Sequence, residues 1–231
     1  MHLETLEKNL SETKKKIAKA CDDAGKNKDE IALIGVTKRQ SIETIRQAYE
    51  AGIKNLAENY VQEALEKMDR LKQLDIIWHY IGAIQSNKTR QIAENFTWIH
   101  SVSSLKIARL LNKHCPANKK LNLLIQINVD SDPDKLGIPA VDAGSTISEI
   151  AHLPNILIRG MMVILSKSTN PKTGYEKASG IFKELSLLQS PEKNIYWDTL
   201  SMGMSKDYYE AILSGGNAIR LGTTLFGERA Q

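Results

Sequence analysis

The chain has 231 residues, with 31 basic against 27 acidic side chains for a formal charge of +4, and 42% of it is hydrophobic. At roughly 100–200 residues per domain that length fits one large domain or two small ones, and leaves no room for a full catalytic barrel plus a second substrate domain. The longest run without a charged residue, 76–87, is twelve positions, short of the roughly 20 apolar residues of a bilayer-spanning helix.

Residues 2–24 set Leu3, Leu6, Leu10, Ile17 and Cys21 at helical spacing, predicting an amphipathic helix that ends near Gly25. Its mixed charges lack the apolar core of a signal peptide, so a cytoplasmic location is expected. Lys14, Lys15 and Lys16 read as a solvated helix face, giving no case for nucleic acid. Cys21 and Cys115 fit neither a disulfide framework nor a metal site.

The run IALIGV (31–36) predicts a strand covered on both faces, and 41–52 a helix capped by Ser41 and stopped by Gly52. Further strands are expected at 53–57, 76–81, 97–100, 121–129, 156–163, 195–200 and 217–221. Helical patterns separate them at about 60–73, 86–95, 103–114, 138–152, 175–189 and 205–214, with a short helix after Gly222. Eight strands alternating with helices predict an α/β fold, a (β/α)₈ TIM barrel over 31–231 with the extra helix of 1–25 before it, all one domain. The competitor is a doubly wound open sheet, disfavoured because no GxGxxG follows the first strand. The segments 130–137 and 166–174 are expected to be mobile rims of the functional face.

In such a barrel, chemistry collects at the carboxyl ends of the strands. Lys38 lies two positions beyond the first strand, either as a solvated loop lysine or as an amine that forms a Schiff base with a carbonyl. SMGMS (201–205) and RLGTTLFGER (220–229) follow strands seven and eight. Ser201, Gly203, Ser205, Gly222 and Thr223 there read as a phosphate cradle, or simply as helix caps. Strands one and eight are neighbours in a closed barrel. A ligand carrying both an aldehyde and a phosphate then fits one pocket, and pyridoxal 5′-phosphate (PLP) is the obvious candidate, with Arg220 against its ring nitrogen.

IALIGVTKRQ, ENYVQE (58–63), WHYIGAIQSNK (78–88), LLIQINVD (123–130), IRGMM (158–162), DTLSMGMS (198–205) and AIRLGTTLFGER (218–229) resemble the pyridoxal phosphate homeostasis proteins, the YggS/PROSC family. The resemblance implies a single-domain barrel similar to the N-terminal domain of alanine racemase, with PLP as an internal aldimine on Lys38. It matches Ser201, Gly222 and Thr223 to phosphate contacts, Arg220 to the ring nitrogen and Asn59 to the cofactor mouth. It implies a protein without turnover that keeps vitamin B6 and amino acids in balance by holding or transferring the cofactor, with apo PLP-dependent enzymes as possible recipients. The chain departs from the family's usual pattern at Leu56-Ala57, at Ala83 and at 163–166, near the site but not on it.

Three other residues carry two readings each. His79 fits a structural histidine better than a catalytic base, and Asp198 either buttresses an interior base or is a buried, paired carboxylate. Lys135 reads as solvated, with a second-amine role in cofactor transfer as the alternative. The competing function is an enzyme, an amino-acid racemase or a class I aldolase-like lyase. Racemisation needs proton donors on both faces of the carbanion, and in the racemases this barrel resembles the second comes from another domain. A protein without turnover is therefore the expectation, with no catalytic residue and no metal. The N-terminal helix has either the barrel floor or a partner subunit to pack on, and a monomer is the preferred reading.

Overall fold

A computed structural model describes residues 3–228. His2, at the start of the expected first helix, and Arg229, at the end of the closing motif, lie outside the described residues.

Eight parallel strands close into a barrel: β1 (Ala32–Val36), β2 (Asn55–Glu58), β3 (Ile77–Tyr80), β4 (Trp98–Val102), β5 (Leu121–Asn128), β6 (Ile156–Met162), β7 (Ile195–Ser201) and β8 (Ala218–Leu221). Each pairs with its successor, and β8 returns to β1 with Ala32 beside Ala218 and Ile34 beside Arg220. The open-sheet alternative is thereby excluded. Around the barrel run α2 (Ile42–Glu50), α3 (Val61–Arg70), α4 (Thr89–Asn95), α5 (Leu105–His114), α6 (Ala140–Ile150), α7 (Pro171–Leu185), α8 (Tyr208–Leu213) and α9 (Thr223–Phe226), preceded by α1 (Leu3–Ala24). Among the described residues no helix is long and apolar enough to cross a membrane.

The helix starts follow from local chemistry. Ser41 accepts the Thr44 amide at the head of α2, and Ser104 that of Ile107 at the head of α5. α7 begins four residues before the expected 175, because Pro171 occupies its first turn and Asn170 caps it. A proline there lacks only an N–H that the first turn leaves unbonded anyway. Residues 171–174 of the expected loop 166–174 are thus helix. A two-residue strand, Ile138–Pro139, adds itself to β5 and was not expected.

α1 packs on the outer helices α2, α8 and α9 of the same chain. Leu6, Leu10, Ile17 and Cys21 are buried as the periodicity required, each large apolar side chain contributing about 1.5–3 kcal/mol, whereas Leu3 in the first turn is exposed. The Asn9 amide donates to the Leu225 carbonyl at 3.1 Å, tying α1 to α9.

Period-two alternation sorts the strand residues. Leu56, Trp78, Ile99, Ile219 and Leu221 face outward into the main core under the helices. Ile34, Val36, Ala57 and Ala218 form a separate small apolar cluster inside the barrel, in parity with Asn55, His79, Ser201 and Arg220. The alternation breaks between β6 and β7. There the register jumps between Ile158↔Ile195 and Gly160↔Thr199, with Trp197 at φ 47°. That bulge corrects both readings of Asp198, which is neither interior nor buried. It lies exposed near the amino-terminal end of the barrel and grips Arg159, 2.6 Å from Nη2.

Candidate cofactor site

The carboxyl ends of β1, β2 and β8 open on a cavity of about 740 Å³, lined by Lys38, Asn59, Arg220, Gly222 and Thr223 among others. Five of the seven expected residues thus converge on one space. Lys167 and Lys206 also line it, against a single carboxylate, Asp207, so the lining is net positive and suits an anion. A groove of about 720 Å³ between α1 and the start of β1 lies away from these converging groups.

Lys38 sits on a tight turn after β1, and Arg39 beside it adopts φ 61°. Lys67 of α3 reaches this turn from outside the barrel, almost fully buried. Its ammonium has three protons, and all are used: on the Thr37 carbonyl at 2.7 Å, Glu58 Oε1 at 2.7 Å and Glu63 Oε1 at 2.6 Å. Glu58 also accepts the Thr37 hydroxyl at 2.6 Å, and Glu63 accepts the Arg39 amide. Burial raises the pKa of Glu58, against the pull of Lys67 and the Thr37 hydroxyl. Its second oxygen, Oε2, is buried without a partner.

Arg220 is held from inside. Its Nη1 donates to Ser201 Oγ at 2.6 Å and its Nη2 to the Val163 carbonyl at 2.9 Å. Ser201 Oγ lies 3.0 Å from His100 Nδ1, His100 Nε2 lies 2.9 Å from His79 Nδ1, and His79 Nε2 lies 3.0 Å from Asn55 Oδ1. The guanidinium can only donate, so Ser201 accepts from it and passes its own proton to His100. Each histidine then donates onward through Nε2, ending on the Asn55 oxygen. The reverse polarity would leave the buried serine hydroxyl without an acceptor. Both rings are therefore neutral Nε2–H tautomers, which agrees with burial pulling the pKa of His79 down to about 3 and that of His100 well below its usual value. Burial also lowers Arg220 to about 10, leaving it charged at neutral pH. His79 is the structural histidine expected.

Two cradle residues are placed elsewhere. Ser201 is fully buried in the barrel interior, its hydroxyl committed to Arg220 and His100, and does not line the cavity. Gly203, at φ 90°, makes room for α8: a Cβ would come 2.6 Å from Ala211 Cβ. Both assignments assumed that the helix after strand seven starts sooner than it does, since α8 begins only at Tyr208. Ser205 does line the cavity, and its Oγ accepts the Thr224 amide at 3.2 Å, lacing this loop to the start of α9. Of the four methionines near the mouth only Met204 reaches the cavity; Met161, Met162 and Met202 are buried in the core.

Asn59 presents a buried Oδ1 with no partner, an acceptor that a ligand's donor would satisfy. Its backbone is packed so closely on Gly82 that a Cβ there would meet the Asn59 oxygen at 2.0 Å. Lys135 does not line the cavity; its Nζ donates to the Ile164 carbonyl at 2.9 Å. Asp130 accepts from the Ser166 amide at 2.6 Å and the Thr169 hydroxyl at 3.0 Å, so the two segments expected to be mobile are stitched together. A net cationic lining, an orphaned amide oxygen and a lysine beside a Gly-Thr turn fit a phosphorylated aldehyde such as PLP. Among the described residues no cluster of His, Cys, Asp or Glu could hold a metal.

The fold and this mouth define a class, the barrel domain of alanine racemase: the chain matches the model of the alanine racemase N-terminal domain over residues 2–230 and belongs to that family. Within it the chain belongs with the pyridoxal phosphate homeostasis proteins. It is 39% identical to the one from Pseudomonas aeruginosa over 228 residues, covering 98% of this chain and 97% of that protein. Among solved structures it resembles PipY of Synechococcus elongatus, solved with PLP bound, at 32% identity and TM-score 0.83, covering 96% of this chain and all of that one. Alanine racemase of Clostridium difficile shares the fold at 17% identity and TM-score 0.72, over 99% of this chain and 60% of that one.

Proposed function

We propose that the chain binds PLP at the mouth of its barrel and serves cofactor homeostasis as a holder or carrier, without turning over a substrate. The observation that carries this reading is the convergence of the Lys38 amine, the Arg220 guanidinium and the Gly222–Thr223 turn with Ser205 on one cationic cavity. The bound cofactor supplies an aldehyde. The Lys38 amine would join its carbon through a carbon–nitrogen link, with release of one water. Arg220 would meet the ring nitrogen, the Gly222–Thr223 turn and Ser205 the phosphate, and Asn59 the ring edge.

An arginine cannot hand a proton to the ring nitrogen, which weakens the electron withdrawal that most enzymes of this cofactor use. The relatives are named for pyridoxal phosphate homeostasis and not for a reaction, which supports holding over turnover. The reading extends to one PLP-binding domain acting as a cytoplasmic monomer, since the apolar face of α1 is covered by helices of its own chain, with apo PLP-dependent enzymes as recipients.

The purified protein mixed with PLP should turn yellow. Borohydride should fix the cofactor on the peptide containing Lys38, and Lys38→Ala should lose both signals. A wild-type chain that stays colourless and takes up no PLP overturns the reading. Steady turnover of amino acids that Lys38→Ala abolishes would make it a racemase-like enzyme instead.

A further inference from the structure

We propose that Glu58, Lys67 and Glu63 form a clamp that positions Lys38 for its link to the cofactor, by fixing the peptide groups on either side of it; this rests on the reading that Lys38 carries PLP. None of the three lines the cavity. Each acts through the turn.

The geometry separates a clamp from an ordinary buried ion pair. An ion pair meant only to dock α3 on β2 would need just the contact of Lys67 with Glu58. Here three further bonds go to the Lys38 turn: Lys67 to the Thr37 carbonyl, the Thr37 hydroxyl to Glu58, and the Arg39 amide to Glu63. The Thr37 amide is fixed as well, to the Ala57 carbonyl at 3.0 Å. Arg39 is held in the left-handed region at φ 61°, where a non-glycine residue stays only if its surroundings over-determine it. A lysine side chain is long and flexible, so the direction in which it starts is set by its backbone. Fixing that backbone limits where the amine can reach, and reaction falls steeply with small misplacements.

Two ligands separate positioning of the amine from integrity of the site. PLP can link to Lys38, whereas pyridoxamine 5′-phosphate keeps ring and phosphate but has no aldehyde. Lys67→Met should weaken PLP at least about tenfold while leaving the pyridoxamine analogue within about twofold. The yellow band per bound PLP should fall in parallel. Glu63→Ala, at a partly exposed position, should show the same pattern more weakly. If Lys67→Met does not fold, Glu58→Gln/Lys67→Met, which leaves no unpaired charge buried, takes its place. Equal weakening of both ligands, or unchanged PLP binding in the double variant, overturns the clamp. A wild-type chain that binds the two ligands equally and shows no yellow band overturns the Lys38 reading itself, and the clamp falls with it.

Discussion

Lys38 and Arg220 line one cavity from neighbouring strands, yet Lys38 is fixed from outside the barrel by charged groups on its backbone, whereas Arg220 is fixed from inside by neutral oxygens on its side chain. The difference suits what each cation would do at the proposed cofactor site. A carboxylate in contact with Arg220 would hold it equally well but would cancel the charge offered to a ligand. A serine hydroxyl and a carbonyl hold it without that loss. Around Lys38 the gripped groups are peptides, which carry no charge to cancel, so an ion cluster can be used at full strength. The inner hold also needs its histidines neutral, because a proton on either ring would turn an acceptor of the chain into a donor.

The comparison breaks first in acid. The folded pKa of His79 lies near 3 and that of His100 well below 6.5, so between 6.5 and those values the unfolded chain binds protons that the folded one does not. Stability is full above that window and falls as pH falls through it. At about 1.4 kcal/mol per unit, acidification from 6.5 to about 3 should remove on the order of 5 kcal/mol through His79, with His100 adding in the same direction. Glu58 runs the other way: its folded pKa is raised, so what its ionisation subtracts is recovered as the pH drops. Denaturant unfolding across this range should show the loss, and His79→Gln/His100→Gln should flatten it. An equal slope in that variant would show that the histidines are not its cause.

Lys67→Met tests the outer hold. Removing one partner of a buried ion pair costs about 3–5 kcal/mol, read as a lowered unfolding free energy in urea, and adding Glu58→Gln should restore part of it. A loss below about 1 kcal/mol, as for exposed pairs, would mean that solvent reaches the cluster.

Much of this architecture was legible in the sequence, for reasons that particular residues make clear. The alternation of apolar runs and helical spacing gave all eight barrel strands, and strand ends located Lys38, Asn59, Arg220, Gly222 and Thr223. Ser201 was misplaced because a serine near a glycine-rich turn looks the same whether it faces a ligand or an arginine. Only its side of β7 could have told them apart, and the bulge at Trp197 hides it, because counting in twos from Ile195 and Trp197 would turn Ser201 outward. Period-two alternation on β2 and β3 does place Asn55 and His79 inside, and would have found that end of the inner chain. The outer clamp was out of reach, since Lys67 on a helical pattern at a charged position reads as solvated. Its burial comes from tertiary packing that leaves no local signal.

Ser201→Ala is the mildest change and the sharpest on the comparison. It leaves an Nη1 proton of Arg220 and the Nδ1 acceptor of His100 facing a methyl group, at about 1–3 kcal/mol for unsatisfied buried groups. Arg220 keeps its bond to the Val163 carbonyl, so the guanidinium loosens without leaving the cavity. Under the assignment above, it meets the ring nitrogen, which PLP and pyridoxamine 5′-phosphate share. Ser201→Ala should therefore weaken both ligands by one common factor, up to about tenfold for 1.4 kcal/mol, and leave the yellow band per bound PLP unchanged. Lys67→Met should do the reverse, lowering the band and sparing the pyridoxamine analogue. If Ser201→Ala instead weakened PLP alone, the inner chain would be acting on Lys38 as well, and the two holds would be a single device.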